Sequence, residues 1–214
     1  MDQIPLSTQR TARWICRLLA VGLLAVVAAT TVVVGCRTQN STPFLPSSSS
    51  TPLKDPPGER REALGEAGGA VPKGVTVFDN TVPGVANLDP DLLKALRQAA
   101  ADAANEKVEF YVNSGWRSPA YQNKLLREAV SQYGSEEAAA RWVATPATSS
   151  HVSGDAVDIG RSNATAWLVE HGAEYGLCQI YRNEPWHYEL RLEAIDRGCP
   201  RMYADPTQDP RMQQ

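Results

Sequence analysis

His151 and His187 each stand beside carboxylates, in Ser149-Ser150-His151-Val152-Ser153-Gly154-Asp155-Ala156-Val157-Asp158 and in Glu184-Pro185-Trp186-His187, and the chain has three histidines in all. Two imidazoles and one carboxylate make a three-ligand set for a catalytic zinc ion, whose fourth position stays open for water. A further carboxylate beside that position can act as the general base of a metal-assisted hydrolysis. On this reading His151, Asp158 and His187 are the candidate ligands. Glu184 and Glu189 are both candidates for the base, because on a strand Glu189 lies on the same side as His187, and geometry alone also admits it as a ligand. Asp155 falls within a turn and reads as a turn former. His171 belongs to neither segment and reads as a structural or solvated residue.

Bringing these side chains together requires a bend. Side chains seven residues apart on a straight strand point to opposite faces, which is the relation between His151 and Asp158. A turn around Ser153-Gly154-Asp155 lets both converge, and glycine suits a bend that needs unusual backbone angles. His187 must then arrive from a neighbouring strand. Asp89-Pro90 predicts a helix start, with Leu92, Leu93 and Leu96 on one apolar face as far as about Ala104. Val108, Phe110 and Val112 alternate as a half-buried strand ending at Ser114-Gly115. Ser118-Pro119 repeats the cap signature for a helix through Leu125, Leu126 and Ala129, and a shorter helix is expected from Ser135 to Val143. Ala156, Val157 and Ile159 suggest a strand, and Ser162 is expected to cap a helix through Trp167, Leu168 and Tyr175, stopped by Gly176. Leu177 to Tyr181 and Trp186 to Leu190 read as two short strands joined by a polar turn. Helices with hairpin-connected strands and no regular βαβ alternation predict an α+β fold with an antiparallel sheet.

Taken together, Ser149-x-His151-x-x-Gly154-x-Ala156-x-Asp158 and Glu184-x-x-His187 closely resemble the VanY-like D-alanyl-D-alanine carboxypeptidases. A third block agrees: Ser114-Gly115-Trp116-Arg117-Ser118, with Gln122 five residues after the arginine. The resemblance covers about Val75 to Leu190. It implies the compact zinc fold shared by these D,D-peptidases and the hedgehog signalling domain, with one zinc ion on His151, Asp158 and His187. It further implies that Glu184 takes a proton from the attacking water and delivers it to the leaving amine. Arg117 would stabilise the oxyanion, and Ser149 and Gln122 would help hold a terminal D-alanine. The implied substrate is the D-Ala-D-Ala end of peptidoglycan stem peptides. L,D-carboxypeptidase, D,D-endopeptidase and a non-catalytic, zinc-containing wall-binding module are the alternatives.

The rest of the chain reads as a means of holding that domain outside a bacterial membrane. Arg10, Arg13 and Arg17 precede an apolar run from Leu18 to Val34, long enough to span a bilayer with little tilt and oriented by the arginines ahead of it. The run ends Val33-Val34-Gly35-Cys36, a partial match to a lipobox. Residues 1–36 are therefore either a lipoprotein signal, with Cys36 the lipidation site, or an uncleaved anchor. Residues 37–72 are rich in Ser, Thr, Pro and Gly and read as a disordered tether. Residues 73–200 form the peptidase domain and 201–214 a tail. Of four cysteines, Cys178 and Cys199 alone belong to the domain; outside the cell such a pair is most simply a disulfide, here closing the loop that contains Glu184 and His187. A net charge of −3, with no basic stripe, gives nucleic-acid binding no support. The expected partners are peptidoglycan stem peptides and the membrane, for a protein that is a monomer.

Overall fold

Two proline-led helix starts frame the fold as the sequence predicts. Asp89 accepts the amides of Asp91 and Leu92 at 2.9 and 3.0 Å, opening a helix over Pro90–Asn105. Ser118 accepts the amide of Tyr121 at 3.1 Å and opens a second over Pro119–Tyr133. The computed structural model describes residues 64–213. Cys36, the apolar run before it and the tether up to residue 63 lie outside the described residues. Among the described residues no helix is long and apolar enough to cross a membrane.

The helices are α1 (Pro83–Ala86), α2 (Pro90–Asn105), α3 (Pro119–Tyr133), α4 (Glu136–Ala139), α5 (Ser150–Ser153), α6 (Ser162–His171) and α7 (Ala194–Arg197). The strands are β1 (Tyr111–Ser114), β2 (Ala156–Gly160), β3 (Leu177–Gln179) and β4 (His187–Leu190). They form one antiparallel sheet in the order β1-β2-β4-β3, the α+β architecture expected. Strand alternation gives the two central strands a core face and a site face. Val157, Ile159 and Tyr188 pack with Leu92, Leu96, Ala99 and Leu168 in the core. Asp158, His187 and Glu189 occupy the other face, Asp158 directly opposite His187 in the ladder.

Two local expectations, at Ser162 and over Ser135 to Val143, need correction, whereas the helix through Leu125 and Leu126 forms as expected. Leu125 and Leu126 are only half-buried, and α3 buries Gln122 and Ala129 instead. The reason is that α3 flanks a cleft, so its inward face meets polar groups. Ser162 is the first residue of α6 rather than its cap. Arg161 takes that position at φ +70° without a side-chain cap bond, its guanidinium 3.9 Å from the Tyr111 ring centroid. The helix expected from Ser135 to Val143 is the single turn α4, though Ser135 does cap it.

Both ends of the described chain pack onto the sheet-and-helix body. Gly68 O accepts the amide of Ser118 at 2.9 Å, and a Cβ on Gly69 would meet Trp116 O at 2.2 Å. Beyond Cys199, Tyr203 bridges to Tyr181, and two 3-10 turns, Pro206–Gln208 and Pro210–Gln213, bury Asp205 and Asp209. Cys178 and Cys199 form a disulfide with Cα atoms 5.5 Å apart. It fastens β3 to the chain beyond α7.

Candidate metal centre

His151 lies on a single helical turn, not on a strand. α5 ends at Gly154, whose φ of +86° reverses the chain into β2. A Cβ there would come within 2.7 Å of Asn87 O, so both the angle and the close approach require glycine. This turn resolves the seven-residue spacing: His151 projects from α5 while Asp158 projects from the middle of β2. Gly115 O accepts the Nδ1–H of His151 at 2.8 Å, which leaves Nε2 with its lone pair. That Nε2 stands 3.5 Å from Asp158 Oδ1.

His187 has the opposite tautomer. Glu189 Oε1 lies 3.2 Å from its Nε2, so in the neutral ring that could bind a metal Nε2 carries the proton and Nδ1 is free. Nδ1 faces Asp158 Oδ1 at 3.3 Å and Glu184 Oε2 at 3.7 Å. The three candidate ligand atoms all lie within 4.8 Å of one another, on residues that are all buried. Ligands about 2.0–2.1 Å from one tetrahedral zinc ion sit roughly 3.3 Å apart, close to the spacing of Asp158 from each histidine. Asp158 Oδ1, His187 Nδ1 and Glu184 Oε1 are moreover buried without hydrogen-bond partners. Buried polar atoms left unpaired in this way are costly unless something joins them. Donor type, spacing and unpaired lone pairs thus all fit a zinc ion held by His151, Asp158 and His187.

The electrostatics follow from burial and close packing. Burial opposes the charge on Asp158, but His151, His187 and Arg117 outweigh it and hold the carboxyl well below the usual range. Burial and the nearby Arg117 push His151 down. Burial also works against His187, but Asp158 and Glu189 raise it to about 9. Glu184 is raised to about 7 by burial, so in the metal-free protein it takes up a proton near neutrality.

Arg117 is fixed by three partners. Its Nε donates to Ser114 Oγ at 2.8 Å, Nη1 to Gln122 Oε1 at 3.0 Å and Nη2 to Asp158 Oδ2 at 3.1 Å. Asp158 thereby has one oxygen on Arg117 and the other toward the histidines. Gln122 donates its amide to Ala144 O at 2.8 Å, so both ends of that buried side chain are engaged. Ser149 is buried at the start of α5. Arg117, Gln122, Ser149, Glu184 and the three candidate ligands line one cleft of about 410 Å³, with Trp186 and Trp142 at its wall.

Glu189 touches the far side of the His187 ring, away from the other two ligand atoms, so it is placed neither as a further ligand nor as the base. Sequence alternation places it correctly but cannot say which ring nitrogen it reaches. Ser114, which stands in the third motif block without a role of its own, holds Arg117, and Arg191 and Arg211 hold Glu189 with no sequence signal for that role. Asp155 accepts from Ser153 Oγ at 2.6 Å in the turn, as expected. His171 packs on Trp167 beside Glu170 and Glu174, away from the cleft.

The family model for VanY, D-alanyl-D-alanine carboxypeptidase, matches residues 85–191, half of the chain. The chain belongs to the VanY family. The match includes every cleft residue named above from Arg117 to His187. A D-alanyl-D-alanine carboxypeptidase of Enterococcus faecalis is 33% identical, over 40% of this chain and 42% of its own length, so the chain spans less than half of that relative. A zinc complex of the vancomycin-resistance D,D-pentapeptidase VanY is 29% identical, covering 48% of this chain and 72% of that one with a TM-score of 0.45. The LdcB LD-carboxypeptidase is 26% identical, covering 56% and 66%, with a TM-score of 0.47.

Proposed function

We propose that this VanY-family chain is a zinc peptidase that trims the carboxy-terminal D-alanine from peptidoglycan stem peptides. The observation that carries the reading is the convergence of unpaired, buried Asp158 Oδ1, His187 Nδ1 and Glu184 Oε1 at the floor of one cleft. His151, Asp158 and His187 hold the zinc ion. When bound, zinc supplies Lewis acidity, which acidifies water and polarises a carbonyl. Glu184 takes the proton of the attacking water and passes it to the leaving amine. Its Oε2 stands 3.7 Å from His187 Nδ1, close enough to the metal position to reach that proton. Arg117 offers N–H groups to the oxygen on which charge develops, held rigid by Ser114 and Gln122. Ser149 and Gln122, at the wall of the cleft, help seat the terminal D-alanine.

The bond cut is D,D or L,D according to whether the residue before that D-alanine is another D-alanine or the L-centre of a shorter stem. Both activities occur in the names of the relatives. The N-terminal segment places the domain outside the cell, by membrane anchor or by lipid on Cys36, where such stems are found. Mass spectrometry of synthetic stem pentapeptide and tetrapeptide incubated with the full chain tests this. Zinc-dependent loss of one alanine from the pentapeptide alone means a D,D-carboxypeptidase, and loss from the tetrapeptide means an L,D-carboxypeptidase. Both peptides intact under zinc would refute the carboxypeptidase reading and leave cross-linked wall or a binding role.

A further inference from the structure

The C-terminal segment reaches the metal centre from behind. Glu189, fully buried, receives Arg191 Nη2 at 2.5 Å and Arg211 Nη1 at 2.7 Å on Oε2, while Oε1 faces His187 Nε2 at 3.2 Å. Arg211 also binds Asp209, through Nε at 3.0 and 3.1 Å and through Nη2. Asp209 is itself fully buried and accepts the Tyr181 hydroxyl at 3.0 Å. The Tyr181 ring lies against the imidazole of His187, centroids 5.0 Å apart. On the side away from Asp158, Glu189 meets the Nε2 edge of the His187 ring and Tyr181 lies tilted against it. Asp209 and Arg211 hold both.

We propose that Glu189 and Arg211 are positioning residues for His187, and that the segment ending in Pro210–Gln213 serves as an outer clamp of the zinc site. The inference rests on the zinc reading given above. His187 can offer Nδ1 to a metal only while Nε2 carries the proton and the ring keeps its orientation. Glu189 meets both conditions as a carboxylate acceptor at Nε2. An unanchored carboxylate on a strand can swing, and the Arg211 fork removes that freedom by tying Glu189 to Asp209 across the sheet edge. Arg211 Nη2 also reaches Oε1 at 3.4 Å, so without Arg211 the one arginine left on Glu189 is Arg191, which holds Oε2 and leaves Oε1 with His187 alone. Partners of this kind commonly account for 10–100-fold in metal affinity.

The test compares Glu189→Gln and Arg211→Gln with the full-length wild type, purified in detergent. Glu189→Gln retains an acceptor oxygen at Nε2, so it probes the charge and the clamp with little loss of shape. Zinc affinity is read by competition with a chromophoric chelator. The visible spectrum of the cobalt-substituted protein reports ligand geometry, and metal-free melting curves report folding. The expected result is a roughly 10–100-fold weaker zinc affinity in both variants, with an altered cobalt spectrum. Arg211→Lys, which restores charge without the fork, should recover only part of the loss. Glu189→Gln that folds, binds zinc with wild-type affinity and shows the wild-type cobalt spectrum would overturn the inference and leave the metal site standing. A wild-type chain that binds no zinc would overturn both.

Discussion

Asp158 and His187 face each other across the β2–β4 ladder, with Oδ1 of one 3.3 Å from Nδ1 of the other. Directly opposed residues on one face of an antiparallel pair are close enough to share a partner. The strand register itself thus assembles two of the three candidate ligands, and a slip of one residue would turn one of them into the core. The third, His151, depends on the turn closed by Gly154.

Asp158→Asn keeps the shape of that side chain and removes its charge. We expect zinc affinity to fall by more than about 100-fold, beyond the loss usual for outer partners. The metal-free protein should also lose on the order of 3 kcal/mol, because Arg117 is left without its buried counter-charge, while His187 keeps only Glu189. Chelator competition and chemical denaturation measure the two effects separately. Unchanged zinc affinity would remove Asp158 from the ligand set.

Glu184→Gln separates chemistry from binding. The amide is isosteric and cannot take a proton, so turnover should drop by about 10²–10⁴-fold. Zinc affinity should stay within a few-fold of wild type, and the metal-free protein should be no less stable, since burial already disfavours the Glu184 carboxylate. Steady-state kinetics on whichever stem peptide is cleaved, with metal analysis of the same sample, checks both. Retained turnover would point to another base.

The metal-free protein should become less stable as pH rises from about 6.5 to 9. Burial opposes the proton on His187, but Asp158 and Glu189 hold it there up to about 9. In that window the folded state keeps a proton that the unfolded chain has released, so raising the pH favours unfolding. Glu184, raised to about 7 by burial, acts in the same direction up to that value. His151 is lowered, so its contribution is already complete above its ordinary value and does not oppose the trend. Zinc needs His187 neutral, so its stabilising effect should grow over the same range. Melting temperatures in excess chelator that stay flat or rise toward pH 9 would contradict this.

Much of the site was legible because its chemistry is carried by residue type. Three metal-binding side chains with a glycine at the required bend leave few arrangements, and Asp89-Pro90 and Ser118-Pro119 mark helix starts by their own hydrogen bonding. Leu125 and Leu126 mark α3 correctly but not what it faces, because apolar periodicity identifies an inward face without saying whether a core or a cleft lies there. Residues 64–72 looked like linker because glycine is poor in apolar surface. In the fold Gly69 and Gly84 instead allow backbone to pack on backbone around Trp116. Arg211 was out of reach for a different reason. Its partner Glu189 lies 22 residues away, with no periodic pattern to connect them.

Removing the disulfide should cost about 3 kcal/mol, the entropy of closing a loop of this length. Glu184 and His187 both lie inside that loop. Cys178→Ser with Cys199→Ser should therefore lower the melting temperature by roughly 10 °C, a scale that follows from the size of the domain. Calorimetry of oxidised and doubly substituted protein measures it. Equal melting temperatures would mean that packing around Cys178 and Ala194 alone fixes the loop.

The central claim is a metal ion held jointly by His151, Asp158 and His187. The most direct measurement is anomalous diffraction at the zinc edge from crystals grown with zinc. One strong peak bonded to His151 Nε2, an Asp158 oxygen and His187 Nδ1, beside Glu184, is the result predicted. A peak held by other residues, or none at full zinc load, would contradict it.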